Sequence, residues 1–331
     1  MLNALYVLDP RWQRVIYPEA VDGELAAEGI ALVAPPQSAD SVLAHPTLLE
    51  KVDVILASWG MVRLDAELLS HAPRLRAVFH AAGSIRYFTT PEFWARNLVV
   101  STAHQINALP VAEYTLAAVL FGLRRGWHHA STVRQFRDRW WQTDLPGSYR
   151  STVALISLGA VRRLVRERLR PFDVRVIAHD PFLSRAEAAT LDVECVSLDD
   201  AFARADIVSL HTPLLPATQG LVRGHHFAAM KSGATFINTA RGAVVRESEM
   251  IEVLRRRPDL HAVLDVTDPE PPASDSPLFD LTNVTVTPHI AGTCPAEAPR
   301  LGRAMIDELR RWLRGEPLLH QVTASQSAHL A

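Results

Sequence analysis

Thr152-Val153-Ala154-Leu155-Ile156-Ser157-Leu158-Gly159-Ala160-Val161-Arg162 decides the fold. Its first five residues are apolar or β-branched and read as a buried strand. A short loop around Gly159 follows, and Arg163–Arg170 then reads as a helix stopped by Pro171. A strand, a glycine loop and a helix, with an acid about 20 positions further on, is the pattern of a dinucleotide-binding unit, G-x-G-x-x-G. Only the middle glycine is kept here. It lets the backbone approach a pyrophosphate. Ser157, in place of the first glycine, can make the tight turn only with strain. Arg162, in place of the third, must snorkel outward or lie near the phosphates. A second strand, Val174–Ala178, ends in His179-Asp180-Pro181-Phe182, which puts Asp180 21 residues after Gly159. There its carboxylate would accept from ribose hydroxyls and repel a 2′-phosphate, favouring NAD over NADP. Starting an Asp-Pro turn is its plainer role.

Working outward, short apolar runs alternate with helical stretches along the chain. In the first hundred residues Leu5–Leu8, Ile30–Val33, Val52–Ala57, Leu75–Phe79 and Leu98–Ser101 read as strands, and Leu64–His71 has helical spacing. A second series of strands covers 152–158, 174–178, 207–210, 234–238, 261–265 and 284–287, and a last helix runs over about 296–314. Such alternation implies parallel sheets with helices on their faces. With 331 residues and 48% apolar content, two domains are expected.

Three stretches carry the chemistry: Asn238-Thr239-Ala240-Arg241-Gly242, Asp265-Val266-Thr267-Asp268-Pro269-Glu270-Pro271 and Thr287-Pro288-His289-Ile290-Ala291-Gly292. Each places an ionisable residue in or beside a turn after an apolar run. Arg241 can clamp a carboxylate bidentately. Glu270 can hydrogen-bond one nitrogen of His289 and favour its imidazolium form. His289 can then exchange a proton with a carbinol oxygen. The hydride of such a reaction must come from a cofactor.

In residues, order and spacing these stretches resemble the D-isomer-specific 2-hydroxyacid dehydrogenases, over about residues 50–323. The resemblance implies an α/β fold of two Rossmann-like or flavodoxin-like parallel-sheet domains with the site in a cleft between them. It assigns 1–105 plus 296–331 to a substrate domain. It assigns 106–295 to an NAD-binding Rossmann domain with a dimerisation arm at about 107–150. Arg241, Glu270 and His289 are then catalytic. Leu158, Gly159, Ala160, Val161, Asp180, His211, Thr212, Pro213, Thr239, Ala240, Arg241, Asp265, His289 and Gly292 surround the NAD, with Asp265 accepting from the carboxamide. The turn Phe79–Ser84 offers the amides of Ala82, Gly83 and Ser84 to the substrate carboxylate, and Trp59 and His80 shape the pocket. Arg86, not a standard family feature, can select a second acidic group or stand solvated at a helix start. Formate-oxidising relatives have Gln at the Glu270 position, so a carboxylate favours interconversion of a small D-2-hydroxy acid and its 2-keto acid. The degraded glycine loop also suits a different class, an NAD(H)-sensing binding protein resembling the C-terminal-binding corepressors.

Charge narrows the partners. The 34 basic and 36 acidic residues leave a net −2, which points to neither nucleic acid nor an anionic membrane. Tryptophans among arginines at Trp127, Trp140 and Trp141 could stack on single-stranded nucleic acid, but an arm buried on a second subunit of a homodimer is the favoured reading. The apolar stretch Val111–Leu123 is too short to span a bilayer. Cys195 and Cys294, the only cysteines, read as buried or incidental thiols in a reducing cytoplasm. The N-terminus reads as a strand rather than a signal peptide, and Ser325–Ala331 as a frayed tail. The pairs His128-His129 and His225-His226 read as surface residues, and no metal is expected.

Overall fold

The computed structural model describes residues 1–137, 146–157 and 159–327, without the side chains of Gln135, Phe136, Ala160, Arg162 and Arg185. Leu158, the core of the expected arm with Trp140 and Trp141, the Arg162 side chain and the last four residues therefore lie outside the described set.

The chain forms two α/β units, Met1–Asn107 with Thr293–Ala331, and Ala108–Gly292. The first holds β1 (Leu2–Val7), β2 (Ile30–Leu32), β3 (Val54–Ala57), β4 (Ala77–His80) and β5 (Val99–Thr102) in the order β2-β1-β3-β4-β5. All its pairs are parallel, which is the flavodoxin-like arrangement. β3 and β4 are buried along their whole length, as strands covered on both faces must be; hence their continuous apolar runs. The helix Pro299–Leu313 returns to this unit. Its Leu301, Met305, Ile306 and Leu309 join Tyr6, Leu8, Ile16 and Phe79 in one core. It approaches so closely at Gly302 that a Cβ would lie 2.0 Å from the Ile16 carbonyl oxygen. Buried Glu308 accepts from Ser101 Oγ at 2.7 Å and from the amides of Leu319 and His320, both at 2.9 Å.

The second unit holds β6 (Ser151–Ile156), β7 (Val174–His179), β8 (Glu194–Cys195), β9 (Ile207–Leu210), β10 (Thr235–Asn238), β11 (His261–Leu264) and β12 (Val284–Val286). The order β12-β11-β10-β9-β6-β7-β8 is the doubly wound arrangement, with its switch point between β6 and β9. The edge strand β8 was not expected; two exposed residues leave no apolar signal.

Several readings need correction. The helix expected at Val111–Leu123 spans His104–Leu123, 20 residues with Pro110 inside it. It is long and apolar enough to cross a membrane by length and composition, and half of it is buried within the protein. Its Ala112, Ala118, Val119 and Leu123 share a core with β6 and β9. Trp127 stacks on His261, centroids 5.3 Å apart and planes 6° from parallel, so it is an intramolecular anchor. His226 is buried, because its Nδ1 accepts from the Arg223 amide at 2.9 Å and draws the ring onto Phe202. Both cysteines are exposed.

His80, at the end of β4, is fully buried between Tyr87 and Phe88, and its ring nitrogens have no hydrogen-bond partner among the described residues. It belongs to the core, and Trp59 packs on Trp12 at 4.7 Å. Burial pushes the His80 pKa down to about 3, with a small opposing effect from the Ser84 backbone. An unfolded imidazole titrates near ~6.5. Above that pH His80 is neutral in both states; between there and about 3 only the unfolded chain binds the proton. Stability should therefore fall with pH across this window, His80 contributing up to ~1.4 kcal/mol per pH unit. Denaturant titrations of His80→Phe should show a correspondingly shallower acid limb. A slope equal to wild type would mean that His80 is protonated in the fold.

Candidate active site

The expected residues of the second unit gather at the carboxyl ends of its strands, where ligands of open α/β sheets bind. β6 leads into Ser157, which adopts φ +72° and donates its amide to His179 O at 2.6 Å. The serine thus occupies the left-handed region that glycine ordinarily supplies. Gly159 is the N-cap of the helix Ala160–Leu169, so amides at that end are available to an anion. The side chain of Val161 is partly buried against the core that holds Val165 and Leu169. β7, the immediate neighbour of β6, delivers Asp180, whose Oδ1 accepts the Phe182 amide at 2.8 Å. The carboxylate shapes this turn, at the end of the strand where a ribose-binding acid is expected. On the other side of the switch point, His211 donates its amide to Ile156 O at 3.1 Å, and its Nε2 lies 3.0 Å from Ser209 Oγ. Thr212 is buried and its hydroxyl has no partner among the described residues. Pro213 O accepts the Thr218 hydroxyl at 2.6 Å. An anion-ready helix end beside an acid on the adjacent strand is a donor set that fits a dinucleotide.

The turn after β10 is tied by Asn238. Its Oδ1 accepts the Ala240 amide at 3.0 Å and its Nδ2 donates to Arg241 O at 3.2 Å. Thr239 Oγ1 lies 3.4 Å from Thr115 Oγ1. Arg241 is held by a 2.6 Å bond from Nη1 to Ala240 O. Burial lowers its pKa, and the Glu270 charge opposes that shift. At Gly242 a Cβ would meet the Thr267 carbonyl at 2.0 Å, so only glycine lets this turn lie against the loop after β11. That loop is fastened by Thr267 Oγ1 to Pro269 O at 2.8 Å and by the Asp268 amide to Glu247 Oε2 at 3.1 Å. Burial raises the pKa of Glu247, partly offset by that amide.

Glu270 Oε1 meets His289 Nδ1 at 2.5 Å, and both side chains are partly exposed. With Nδ1 engaged, proton exchange with a ligand falls to Nε2. His289 itself adopts φ +54°. Its amide reaches Thr287 O at 2.9 Å and Asp265 O at 3.1 Å. Asp265 is buried, and its carboxylate accepts from Thr287 Oγ1 at 2.6 Å and from the amides of Ile290 and Ala291, both at 2.8 Å. Most of its accepting capacity is therefore used within the protein, where the sequence suggested a carboxamide partner. Gly292 closes this unit. Sequence reading passed over Glu247 and Tyr114, whose partners in these loops lie far along the chain. It quoted Asn238 and Thr287 without giving them a role.

In the first unit, the Ala82 amide donates to His80 O at 2.8 Å, which takes it from the expected anion-binding set. The carbonyls of Ala82 and Gly83 accept the Thr102 hydroxyl at 2.7 and 2.8 Å, and Ser84 Oγ accepts the Arg86 amide at 3.4 Å. The Arg86 side chain is exposed. Among the described residues, one group, Asp199 with His225 and His226, gathers three metal-type ligands. Because His226 Nδ1 accepts a backbone N–H, its neutral ring carries the proton on Nε2, the atom a metal would need.

The strain at Ser157 is testable. A non-glycine residue in the left-handed region costs ~1–2 kcal/mol, so Ser157→Gly should raise unfolding stability by ~1 kcal/mol. An unchanged or lower denaturation midpoint would mean that the serine sits there without strain.

Residues 116–291 match the NAD binding domain of the D-isomer specific 2-hydroxyacid dehydrogenases. The D-3-phosphoglycerate dehydrogenase of Mycobacterium tuberculosis is 34% identical over 76% of this chain and 48% of its own length, so the chain spans about half of that relative. The (S)-sulfolactate dehydrogenase of Chromohalobacter salexigens is 36% identical over 76% of this chain and 82% of its own. In structure, the TT0316 protein of Thermus thermophilus superposes with a TM-score of 0.74, at 27% identity, over 97% of this chain and all of the other. On this sequence match, and with NAD as its cofactor, the chain belongs to the D-isomer specific 2-hydroxyacid dehydrogenase family.

Proposed function

We propose that the protein interconverts a small D-2-hydroxy acid and its 2-keto acid. The observation that carries this reading is the 2.5 Å contact of His289 Nδ1 with Glu270 Oε1, beside a half-buried Arg241 on which the Glu270 charge acts. Glu270 fixes the ring's orientation through Nδ1; Nε2 gives the proton to the carbonyl oxygen on reduction and takes it back on oxidation. Arg241 holds the carboxylate and carbonyl oxygens with its planar fork, and its desolvation strengthens that bond. Bound NAD(H) supplies the hydride. Its pyrophosphate would rest on the amides from Leu158 to Val161, its ribose on Asp180, its adenosine side along His211–Pro213, and its nicotinamide near Thr239, Ala240, Asp265 and Gly292. The amides of Gly83 and Ser84 are offered to an anionic group. Arg86 is assigned to a second acidic group on the substrate, by its exposure and by its absence from the family pattern.

The test is turnover of glyoxylate, pyruvate, hydroxypyruvate and a keto acid bearing a second anion, with NADH and with NADPH. Turnover with NADH supports the enzyme; binding of NADH without turnover supports a sensor instead. Preference for the dianion supports Arg86, and indifference removes it. Arg241→Lys keeps the charge and loses the fork, so kcat/KM should fall by ~2–4 kcal/mol of transition-state stabilisation. A near wild-type value would remove Arg241 from the site.

We also propose a cytoplasmic homodimer. Two exposed thiols suit a reducing compartment. A surface groove of about 420 Å³, lined by Ala117, Leu120, Phe121, Leu123 and Phe172 among others, supplies apolar area for a second copy. Light scattering should give twice the 36.6 kDa chain mass, and Phe121→Asp should reduce it; a monomeric wild type would end the proposal.

A further inference from the structure

Beside the His289–Glu270 pair lies a hydrogen-bonded series that the proposed reaction does not itself require. Tyr114, on the helix His104–Leu123, has its hydroxyl 2.8 Å from Thr287 Oγ1. Thr287 gives its one proton to Asp265 Oδ1 at 2.6 Å, so towards Tyr114 it accepts and the phenol donates. Burial raises the Tyr114 pKa against a smaller opposing effect of the Thr287 bond, so the phenol keeps the proton it donates.

The series ends on the turn that carries His289. Asp265 takes the amides of Ile290 and Ala291, one on each oxygen, and its main-chain oxygen takes the amide of His289. Between these anchors His289 sits at φ +54°. A histidine is held in that region only where its surroundings over-determine it. Four donors converge on Asp265, three of them backbone amides from this turn. The fourth, the Thr287 hydroxyl, shares Oδ1 with the Ile290 amide and ties the carboxylate to Tyr114 on the helix.

We propose that Tyr114 and Thr287 are positioning residues for His289: they fix the Asp265 carboxylate, which clamps the turn and aims the imidazole. This inference rests on the reading of His289 as the acid–base group. Losing the Thr287 hydroxyl removes a charge-assisted hydrogen bond and leaves the phenol without its acceptor. The carboxylate can then rotate, and its bonds to Ile290 and Ala291 loosen. The effect should fall on the step that needs an aligned Nε2 more than on substrate binding, where Arg241 does the holding.

The test uses Thr287→Val, which keeps volume and branching, Thr287→Ser, which keeps the hydroxyl, and Tyr114→Phe. Amide hydrogen exchange of the protein without ligand is measured alongside kcat and KM for keto-acid reduction. In Thr287→Val, exchange at Ile290 and Ala291 should quicken by ~10-fold and kcat should fall by ~10-fold, as expected for one hydrogen bond to a charged group. KM and exchange in β6 and β9 should stay near wild type. Thr287→Ser should restore both measurements, and Tyr114→Phe should lie between. Wild-type exchange and kcat in the Val variant would overturn the proposal. So would faster exchange throughout the unit, which marks a structural role, or a Ser variant as impaired as Val. If the wild type reduces no keto acid, the reading of function fails, while the exchange measurements still decide whether this series holds the turn.

Discussion

A buried carboxylate has to be surrounded by donors, and Asp265 draws its donors from the turn after β12. That requirement organises the site of the second unit. The Asp265 side chain takes Thr287, Ile290 and Ala291, and its main chain takes His289, so the end of β11 and the exit of β12 behave as one piece. The loop beyond β11 then presents Glu270 to that histidine. The same loop can lie against the Arg241 turn because residue 242 has no side chain. Remove the desolvated acid, and Arg241, Glu270 and His289 lose the frame that relates them.

The parts of this arrangement differ in how visibly the sequence carries them. Parallel strands covered on both faces must be apolar throughout, and so nearly every strand could be read from runs such as Val153–Ile156 or Val54–Ala57. β8 could not, being two exposed residues at a sheet edge. The helix around the apolar stretch Val111–Leu123 begins at His104 and runs through Pro110, because burial of Ala112, Ala118 and Val119 outweighs the local penalty of proline. His226 was mistaken for a surface residue because the rule for neighbouring helical residues says nothing of a side chain that turns back to cap its own helix.

The pairing of His289 with Glu270 was legible from residue type and spacing, since few other arrangements make use of that combination. The supports beneath it were not. Tyr114 bonds a residue 173 positions away, and Glu247 one 21 positions away. Hydrogen bonds over such separations obey no periodicity, and a lone tyrosine or glutamate on a helix looks like any other. Ser157 lies between these extremes: the missing glycine announced a strained turn, and the backbone at φ +72° has the conformation that loss implies.

The discontinuity of the first unit has a bearing on biosynthesis. Residues Ala108–Gly292 are continuous and can collapse as soon as they are made. The unit that begins at Met1 has to wait for Thr293–Ala331. Until then the faces of Tyr6, Leu8, Ile16 and Phe79 that receive Leu301, Met305 and Leu309 stay uncovered. Contacts of such long sequence separation form slowly, and exposed apolar surface invites association in the interval. During synthesis Met1–Asn107 therefore keeps this face exposed while the whole second unit is made, which makes it a natural target of a chaperone.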